Sequence, residues 1–355
     1  MNLKDKIINY AKAIGVDLIG FTSAQPFEEV RQILEDRREA QYLTGFEEED
    51  IELRIDPRKT LQTAKSIIVI GQGYYIDDSQ LEVEKPQYYG ELARTAWGKD
   101  YHLVLHEKLE AIGKLLEIEV AGAEYKAFVD TGPLVDREVA HRAGLGWYGY
   151  NSTLINEEYG SWFFIGYMIT NVEIKGDMPL KNKECLGCNL CIEHCPSGAI
   201  EAPYVFNGNR CLSCLLQKRT DIAEEDRVKL VKRLYGCDVC QTICPHNKGV
   251  RASSTKDFVP MGTSHQVDLV KLLNMSNKEF KEAFKDNASG WRGKKVLQRN
   301  AIIALVNQGT PEAIQYLTPL LKDPRLDIRQ YAEWGIERLK EKKNTSKANT
   351  ENNNQ

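Results

Sequence analysis

The sequence predicts a mixed α+β protein with three parts. Residues 1–180 alternate helix-like and strand-like segments, residues 181–250 hold all nine cysteines, and residues 265–340 have an entirely helical pattern. The first part is long enough to bury a core of its own, whereas the second has few long apolar runs. We therefore expect a mixed α/β domain, a cysteine-rich domain and a helical segment, in that order.

Apolar periodicity assigns the main elements of the first part. Residues 1–21 are predicted to form an amphipathic helix followed by a strand, and residues 101–117 have the 3.6-residue period of a helix packed on one face. The runs at 66–75 and 161–174 are rich in β-branched and aromatic residues, which is typical of strands.

Residues 124–146, "EYKAFVDTGPLVDREVAHRAGLG", predict a strand, a turn and a helix. The strand should end near Asp130, and the helix should begin at Pro133 and end at Gly144. By spacing alone, Asp130 is a candidate N-cap of that helix, since aspartate is favoured at this position.

The apolar periodicity of the helical part is sufficient for two pairs of helices, and it is interrupted at 309–313 and 322–327. This pattern resembles a HEAT-type repeat, and because only one clear repeat is present it must pack on the rest of the chain. Residues 281–355 carry 14 Lys and Arg against 9 Asp and Glu, which indicates either a nucleic-acid surface or a solvated helix face. The polar residues 341–355 predict a disordered tail.

No apolar run approaches the roughly 18–20 residues that span a bilayer, and residues 1–21 lack the pattern of a signal peptide. We therefore expect a cytoplasmic protein. Thiols stay reduced in that compartment, so nine cysteines indicate metal or redox chemistry rather than disulfides. The odd number suggests that one cysteine is a bystander.

The cysteine spacing predicts two [4Fe–4S] clusters. Residues 185–196, "CLGCNLCIEHCP", match the bacterial ferredoxin run, in which three cysteines hold one cube and the fourth, followed by proline, holds the other. A partial second run, "CDVCQTICP", spans 237–245 and also ends in Cys-Pro. By pseudo-symmetry its last cysteine returns to the first cube.

The predicted ligands of the first cluster are Cys185, Cys188, Cys191 and Cys244. The second cluster takes Cys195, Cys237 and Cys240, and spacing leaves its eighth ligand open between Cys211 and Cys214. Zinc is the alternative, because Cys-x-x-Cys pairs also build zinc sites. A three-plus-one run that ends twice in Cys-Pro favours iron–sulfur clusters.

Three stretches around the cysteines carry a family resemblance. "ARTAWGKDYH" (93–102), "FVDTGPLVDREVAHRAGLGWYGYNSTLI" (128–155) and "RLYGCDVCQTICPHN" (233–247), together with the ferredoxin run, resemble the epoxyqueuosine reductases over roughly residues 1–340. The resemblance implies reduction of epoxyqueuosine to queuosine in a tRNA anticodon loop. It also implies cobalamin, bound base-off without a protein ligand to cobalt, in a nitroreductase-related domain over 1–180.

The resemblance assigns further roles residue by residue. Cys211 becomes the eighth cluster ligand and Cys214 the bystander, while Asp130 becomes the proton donor. His102, at the start of a helix, is expected to be structural. Residues implied at the cobalamin site are Arg54, Asp130, Arg137, Asn151, Ser152 and Ser213, and residues implied in tRNA binding are Lys218, Arg219, Lys294, Lys295, Arg299 and Asn300.

The expected partners are a tRNA and a low-potential electron donor that the sequence does not identify, with the protein a monomer. Two alternatives remain open at this point. One is a reductive dehalogenase-like enzyme that acts on a small molecule with the same cofactors, and the other is a ferredoxin-type electron carrier. A carrier needs far fewer than the 180 residues that precede the cysteines here.

Overall fold

The computed structural model describes residues 1–81, 86–181, 183–260 and 265–352. Its helices are α1 (Leu3–Ala13), α2 (Arg31–Glu39), α3 (Ile51–Ile55), α4 (Pro57–Thr60), α5 (Tyr101–Glu119), α6 (Asp136–Arg142), α7 (Leu190–Glu193), α8 (Leu212–Gln217), α9 (Glu224–Arg227), α10 (Val239–Thr242), α11 (Leu269–Asn274), α12 (Asn277–Phe284), α13 (Lys294–Gln308), α14 (Ile314–Leu317) and α15 (Leu326–Asn352). Its strands are β1 (Leu18–Ser23), β2 (Ser66–Gly73), β3 (Tyr89–Leu92), β4 (Tyr125–Phe128), β5 (Trp147–Tyr148), β6 (Leu154–Ile155), β7 (Phe163–Thr170), β8 (Ile200–Ala202), β9 (Val205–Phe206), β10 (Arg233–Tyr235) and β11 (Gln266–Asp268).

The chain forms two compact units that do not follow the three predicted parts. The first unit comprises Met1–Asp78, Asp100–Cys211 and Val239–Val259, and the second comprises Ser79–Lys99, Leu212–Asp238 and Pro260–Gln355. The cysteine-rich block therefore contributes to both units, and the division into the three predicted parts stays a prediction.

An antiparallel sheet of order β1-β2-β7-β4 forms the centre of the first unit. Strands β2 and β7 pair along their full length, from Ser66 opposite Thr170 to Gly73 opposite Phe163. All eight residues of β2 are buried. A strand covered on both faces needs apolar side chains at successive positions, which explains its unbroken apolar run.

Alternate residues of β2 enter two different cores. Ile68 and Ile70 point into a cluster with side chains of α1 and α5, whereas Ile67 and Val69 point into a cluster with side chains of α2, α3 and α6. Because successive strand residues face opposite sides of a sheet, the two clusters lie on its two faces. The first unit is thus a sheet between two helical layers.

Helix α6 begins at Asp136, three residues later than the predicted start at Pro133. Val135, the residue before the helix, is extended (φ −79°, ψ 95°), and Leu134 is buried in the core beneath α6. Burial of Leu134 thus competes with an earlier helical turn. Asp130 lies six residues before α6, so it does not cap this helix.

The second unit combines a small sheet with most of the helices after residue 265. The sheet has the order β10-β3-β11, with β10 parallel and β11 antiparallel to β3. Strand β11 occupies 266–268, where the sequence predicted helix. Helix α13 is buried continuously from Val296 to Val306 and packs against α11 and α15. The HEAT-like character of this segment stays a prediction.

Helix α15 continues to Asn352, where the sequence predicted a disordered tail from 341. The segment 341–352 contains neither Gly nor Pro, the two residues that are least favourable within a helix. Residues 353–355 lie outside the described residues. Within the described chain, no helix combines the length and the apolarity that a bilayer crossing requires.

Candidate active site and iron–sulfur ligands

Asp130 lies beside the first turn of α5. The hydroxyl of Tyr101 donates a hydrogen bond to Asp130 Oδ2 at 2.6 Å, and His102 Nε2 is 3.9 Å from the same oxygen. The Asp130 side chain is 65% exposed, and its backbone has φ +57°. A non-glycine residue in this region costs about 1–3 kcal/mol and is frequent at functional sites.

Asp100 contacts both the backbone N–H and the ring Nδ1 of His102. Its Oδ1 accepts from the His102 backbone N–H at 3.0 Å, which caps α5, and lies 2.7 Å from His102 Nδ1. Burial opposes protonation of His102, yet the carboxylates of Asp100 and, more weakly, Asp130 raise the pKa of this imidazole. Tyr101 stacks on Phe164 with ring centroids 4.2 Å apart. The structural role expected for His102 stays a prediction.

The loop from Asp130 to Asp136 packs closely on β7. The Asp130 backbone N–H hydrogen-bonds to the Asp136 carboxyl group. Burial, and then the charge of Asp130, raise the pKa of Asp136 to about 8. A Cβ atom on Gly132 would lie 2.0 Å from the hydroxyl oxygen of Tyr167. Only glycine lets the loop approach this strand so closely.

Several guanidinium groups gather in the first unit around Arg54. Burial lowers the pKa of Arg54, Glu47 opposes that shift, and the nearby charges of Arg37 and Arg137 add to it. Arg137 donates to the Ser152 carbonyl at 2.6 Å, and Arg37 to the Phe206 carbonyl at 2.6 Å. Like charges brought together under partial burial stabilise an anionic group such as a phosphate.

The predicted residues Asn151 and Ser152 lie in a tight turn beside this arginine group. Asn151 is buried, and its Oδ1 accepts from the Thr153 hydroxyl at 2.8 Å. Ser152 has φ +60°, and its hydroxyl donates to the Tyr204 carbonyl at 3.5 Å. Ser213, the remaining predicted cofactor residue, lies on α8 in the second unit, where its carbonyl accepts from Gln217 Nε2 at 3.0 Å.

The four thiols assigned to the first cluster influence one another electrostatically. Burial and then the neighbouring Cys185 and Cys244 raise the pKa of Cys191 to about 11. Burial is also the main cause that raises the pKa of Cys185 and of Cys244, and Cys188 adds to both shifts. Buried thiols that repel one another ionise poorly alone, so this group fits a positively charged metal cluster.

The two cysteine runs fold alike, as their pseudo-symmetry predicted. Each run contains one short helix, α7 in the first run and α10 in the second. These two helices pack against each other within the first unit. Asn247 anchors the second run. Its Oδ1 accepts from the Ser161 backbone N–H at 2.7 Å, and its Nδ2 donates to the Gln241 carbonyl at 2.7 Å.

The other cysteines occupy different surroundings. Burial opposes the ionisation of Cys195, but backbone N–H groups, including that of Ala199 at 3.2 Å from Sγ, lower the pKa of this thiol. Cys211 and Cys240 are partly buried in the first unit, and Cys237 belongs to the second. Cys214 is buried on α8. The assignment of Cys211 over Cys214 stays a prediction.

Two of the predicted tRNA contacts lie in the core of the second unit. Arg299 is 5% exposed and donates to the carbonyls of Leu215, Leu216, Lys218 and Thr220. Asn300 is fully buried and donates to the Leu216 and Leu234 carbonyls, both at 2.8 Å. Both side chains brace the segment after α8, so a phosphate does not reach them.

The other predicted contacts are nearer the surface. Arg219 is exposed and Lys218 partly buried at the end of α8. Lys294 donates to the Met275 carbonyl at 3.0 Å, and Lys295 pairs with Asp327 at 2.8 Å. These lysines therefore combine a local structural contact with a partly accessible charge.

The sequence reasoning missed Asp100, Tyr101, Asp136 and Arg37. The signal for the first two was present in "KDYH", because aspartate before a predicted helix is an N-cap pattern that orients the next side chains. Asp136 and Arg37 gave no such signal, since acidic and basic residues on short helices are usually solvated.

Comparisons with known proteins agree with the cysteine pattern. The family described as "4Fe-4S double cluster binding domain" matches residues 184–247, and "Epoxyqueuosine reductase QueG, DUF1730" matches residues 54–131. The prediction of two [4Fe–4S] clusters is confirmed at the level of this domain, against the zinc alternative. By fold and cysteine block, the chain is an iron–sulfur oxidoreductase.

Relatives and solved structures match nearly the whole chain. The epoxyqueuosine reductase of Bacillus cereus is 41% identical, over 95% of this chain and 89% of its own length, and that of Lactococcus garvieae is 39% identical, over 96% and 97%. An epoxyqueuosine reductase crystallised with an epoxyqueuosine-modified tRNA-Tyr stem loop superimposes with a TM-score of 0.90, at 41% identity over 95% of this chain and 90% of that one. The chain belongs to the epoxyqueuosine reductase family.

Proposed function

We propose that this protein reduces the epoxide of epoxyqueuosine, in the anticodon loop of a tRNA, to the alkene of queuosine. The observation that carries the proposal is the match over almost the full length to an enzyme solved with an epoxyqueuosine-modified stem loop. A tRNA substrate also supports the expected cytoplasmic location.

The proposed reaction consumes protons as well as electrons. Removal of an epoxide oxygen as water, with formation of a carbon–carbon double bond, consumes two electrons and two protons. Opening the ring leaves negative charge on oxygen, and an acid within hydrogen-bonding distance lowers that barrier. The Asp130 carboxyl group, the Tyr101 hydroxyl and the His102 imidazole lie together beside the first turn of α5, where they can relay a proton.

We assign Asp130 as the group that gives a proton to the epoxide oxygen. Its exposure leaves one carboxylate oxygen accessible to substrate while Tyr101 holds the other. The His102 imidazole lies nearby and can supply the second proton. Burial opposes its protonation, but Asp100 raises the pKa of this group. Tyr101 orients the carboxylate and does not itself need to ionise.

The electron path is proposed to start at the two clusters. Cys185, Cys188, Cys191 and Cys244 would hold the first, and Cys195, Cys211, Cys237 and Cys240 the second. When bound, the clusters supply electrons one at a time at low potential. The Asn247 contacts to Ser161 keep the loop of Cys244 fixed on the sheet.

Cobalamin is the proposed cofactor of the first unit. It carries a phosphodiester, and the arginine group of Arg54, Arg37 and Arg137 offers the cationic donors that such a group binds. Asn151 and Ser152 would line the same region. When bound, cobalamin supplies a strongly reducing centre. Base-off binding without a protein ligand stays part of the proposal.

The decisive experiment is a reduction assay without oxygen. The protein, reconstituted with iron, sulfide and cobalamin, is mixed with a chemical reductant and a stem loop that carries epoxyqueuosine. We expect queuosine in digests analysed by mass spectrometry, and none when cobalamin is omitted. Absence of queuosine from a preparation with both clusters would overturn the proposal, and undiminished activity without cobalamin would remove the cofactor assignment.

A further inference from the structure

The second unit presents an exposed tryptophan next to several cations. Trp291 is 52% exposed, and the guanidinium carbon of Arg292 lies 3.8 Å from the centroid of its ring. Arg219 is close enough to Arg292 to lower its pKa, an effect second to that of burial. The guanidinium group and the indole ring thus form a cation–π pair at the surface.

A hydrogen bond holds the indole ring, and the segment that precedes it is anchored separately. Its Nε1–H donates to Gln217 Oε1 at 3.0 Å, and Gln217 in turn donates to the Ser213 carbonyl at 3.0 Å. On the backbone side, the buried Asn287 donates to the carbonyls of Ala96 and Gly98 at 2.8 and 3.0 Å. A fixed ring loses little conformational freedom when a ligand stacks on it.

The surrounding charge favours an anionic partner. Arg219 is exposed, and its charge acts on that of Arg292. Arg299 fixes the backbone that carries the next cation, because it donates to the carbonyls of Lys218 and Thr220, both at 2.8 Å. The ring is therefore accompanied by cations on a braced segment.

A second tryptophan of the same unit, Trp334, has a different charge environment from Trp291. Trp334 also lies near an arginine, with Arg227 4.6 Å from its ring centroid. Its Nε1–H donates to Glu224 at 3.1 Å, and Arg227 pairs with Asp221 at 3.3 Å. Carboxylates neutralise this second site, so an aromatic ring beside arginine is not enough to predict an anionic ligand.

We propose that Trp291, with Arg292 and Arg219, forms a stacking platform for an unpaired base of the RNA substrate. Aromatic rings and guanidinium planes bind splayed bases by stacking, and adjacent cations bind the phosphates that link them. The platform rests on the proposed function, because it requires an RNA ligand. It adds a base contact that no phosphate-binding lysine or arginine supplies.

The test measures RNA binding by fluorescence anisotropy, with a labelled, unmodified anticodon stem loop and a labelled RNA duplex without a loop. Trp291→Ala should bind the stem loop roughly 5- to 150-fold more weakly, the range for loss of one stacked base. Binding of the duplex should stay within twofold, because its bases are not available for stacking.

Salt dependence separates stacking from charge. Trp291→Ala should leave the slope of log affinity against log salt unchanged, whereas Arg219→Ala should make it shallower by roughly 0.7–0.9, the release of one counterion. Trp291→Phe, which keeps an aromatic face, should bind more tightly than Trp291→Leu, which keeps only apolar bulk. Trp334→Ala is the matched control and should bind as the wild type does.

The outcomes distinguish this proposal from the one it rests on. Wild-type affinity in both Trp291→Ala and Trp291→Leu would overturn the platform alone. Equal weakening for stem loop and duplex, or weakening by Trp334→Ala as large as that by Trp291→Ala, would also overturn it. Failure of the wild-type protein to bind the stem loop at all would count against the proposed tRNA substrate.

Discussion

The Tyr101 hydroxyl donates a 2.6 Å hydrogen bond to Asp130 Oδ2, and this contact joins the first turn of α5 to the loop after β4. The same carboxylate oxygen faces His102 at 3.9 Å. One oxygen of Asp130 is therefore committed to the protein, which leaves the other oxygen for substrate. The contact orients an exposed carboxylate that the loop backbone alone would leave free to rotate.

Loss of the carboxyl group should affect turnover more than loss of the hydrogen bond that orients it. Asp130→Asn should lower the single-turnover rate roughly 10²- to 10⁴-fold, the usual contribution of a general acid. Tyr101→Phe should lower it by at most roughly 10- to 150-fold, since one hydrogen bond to a charged group contributes about 1.5–3 kcal/mol. Quenched-flow analysis of the nucleoside product measures both. Equal rates for Asp130→Asn and wild type would contradict the assignment.

Stability should fall with rising pH because of Asp136. Its pKa is raised to about 8 in the folded chain, mainly by burial, against 3.8 as the ordinary value. The folded state thus holds a proton that the unfolded state releases between these values, so the free energy of unfolding decreases from about pH 4 to pH 8. Asp136→Asn, which cannot ionise, should therefore gain stability relative to the wild type as the pH rises from 5 to 8.

The comparison for Asp136 uses urea unfolding at pH 5 and pH 8. The asparagine side chain still accepts from the Asp130 backbone N–H, so the variant removes the charge and keeps the hydrogen bond. A stability difference that is the same at both pH values would show that Asp136 ionises normally.

Arg299 should behave as a residue of the core. Arg299→Ala removes the guanidinium that donates to four carbonyls, of which only that of Leu216 keeps a second side-chain donor, Asn300, and it should destabilise the protein by at least about 1.5–3 kcal/mol, the contribution of one hydrogen bond to a charged group. Lys295→Ala removes an exposed ion pair and should cost at most about 1 kcal/mol. Thermal unfolding measures both, and similar melting temperatures would contradict the burial of Arg299.

Iron content should separate the two cysteines that spacing left open. Cys214→Ser should retain about eight irons per chain after anaerobic reconstitution, the content of two cubes, while Cys211→Ser should lose much of one cluster. Iron analysis and electron paramagnetic resonance of the reduced protein report the two outcomes. Loss of a cluster from Cys214→Ser with retention in Cys211→Ser would exchange the assignments.

Local elements of the fold were predictable because their signals are local. The periodicity of 101–117 corresponds to α5, and the apolar runs at 66–75 and 161–174 correspond to β2 and β7. Pairing was not predictable. Strand β3 pairs with β10 and β11, both more than 140 residues away in sequence, and no property of "YGEL" specifies such partners.

In the candidate site, too, local patterns were predictable from the sequence and long-range contacts were not. The Cys-x-x-Cys spacing specifies cluster chemistry because the ligands lie close in sequence. Arg299 looked like a surface cation because its sequence neighbours include Lys294 and Lys295, yet four carbonyls from 215–220 surround it. Tyr101 became a site residue only when folding brought α5 beside the loop after β4. Tertiary contacts decided both cases.

Strand β7 sets the distance between two loops that the proposed chemistry uses. Just before its first residue, Ser161 binds Asn247 and so positions the loop of Cys244. Tyr167, further along, lies against Gly132 and so positions the loop of Asp130. The two anchor points are about 20 Å apart along an extended chain. The loop of Cys244, a proposed cluster ligand, and the loop of Asp130, the proposed proton donor, are therefore spaced by one buried strand, and a change in its pairing register would displace both loops together.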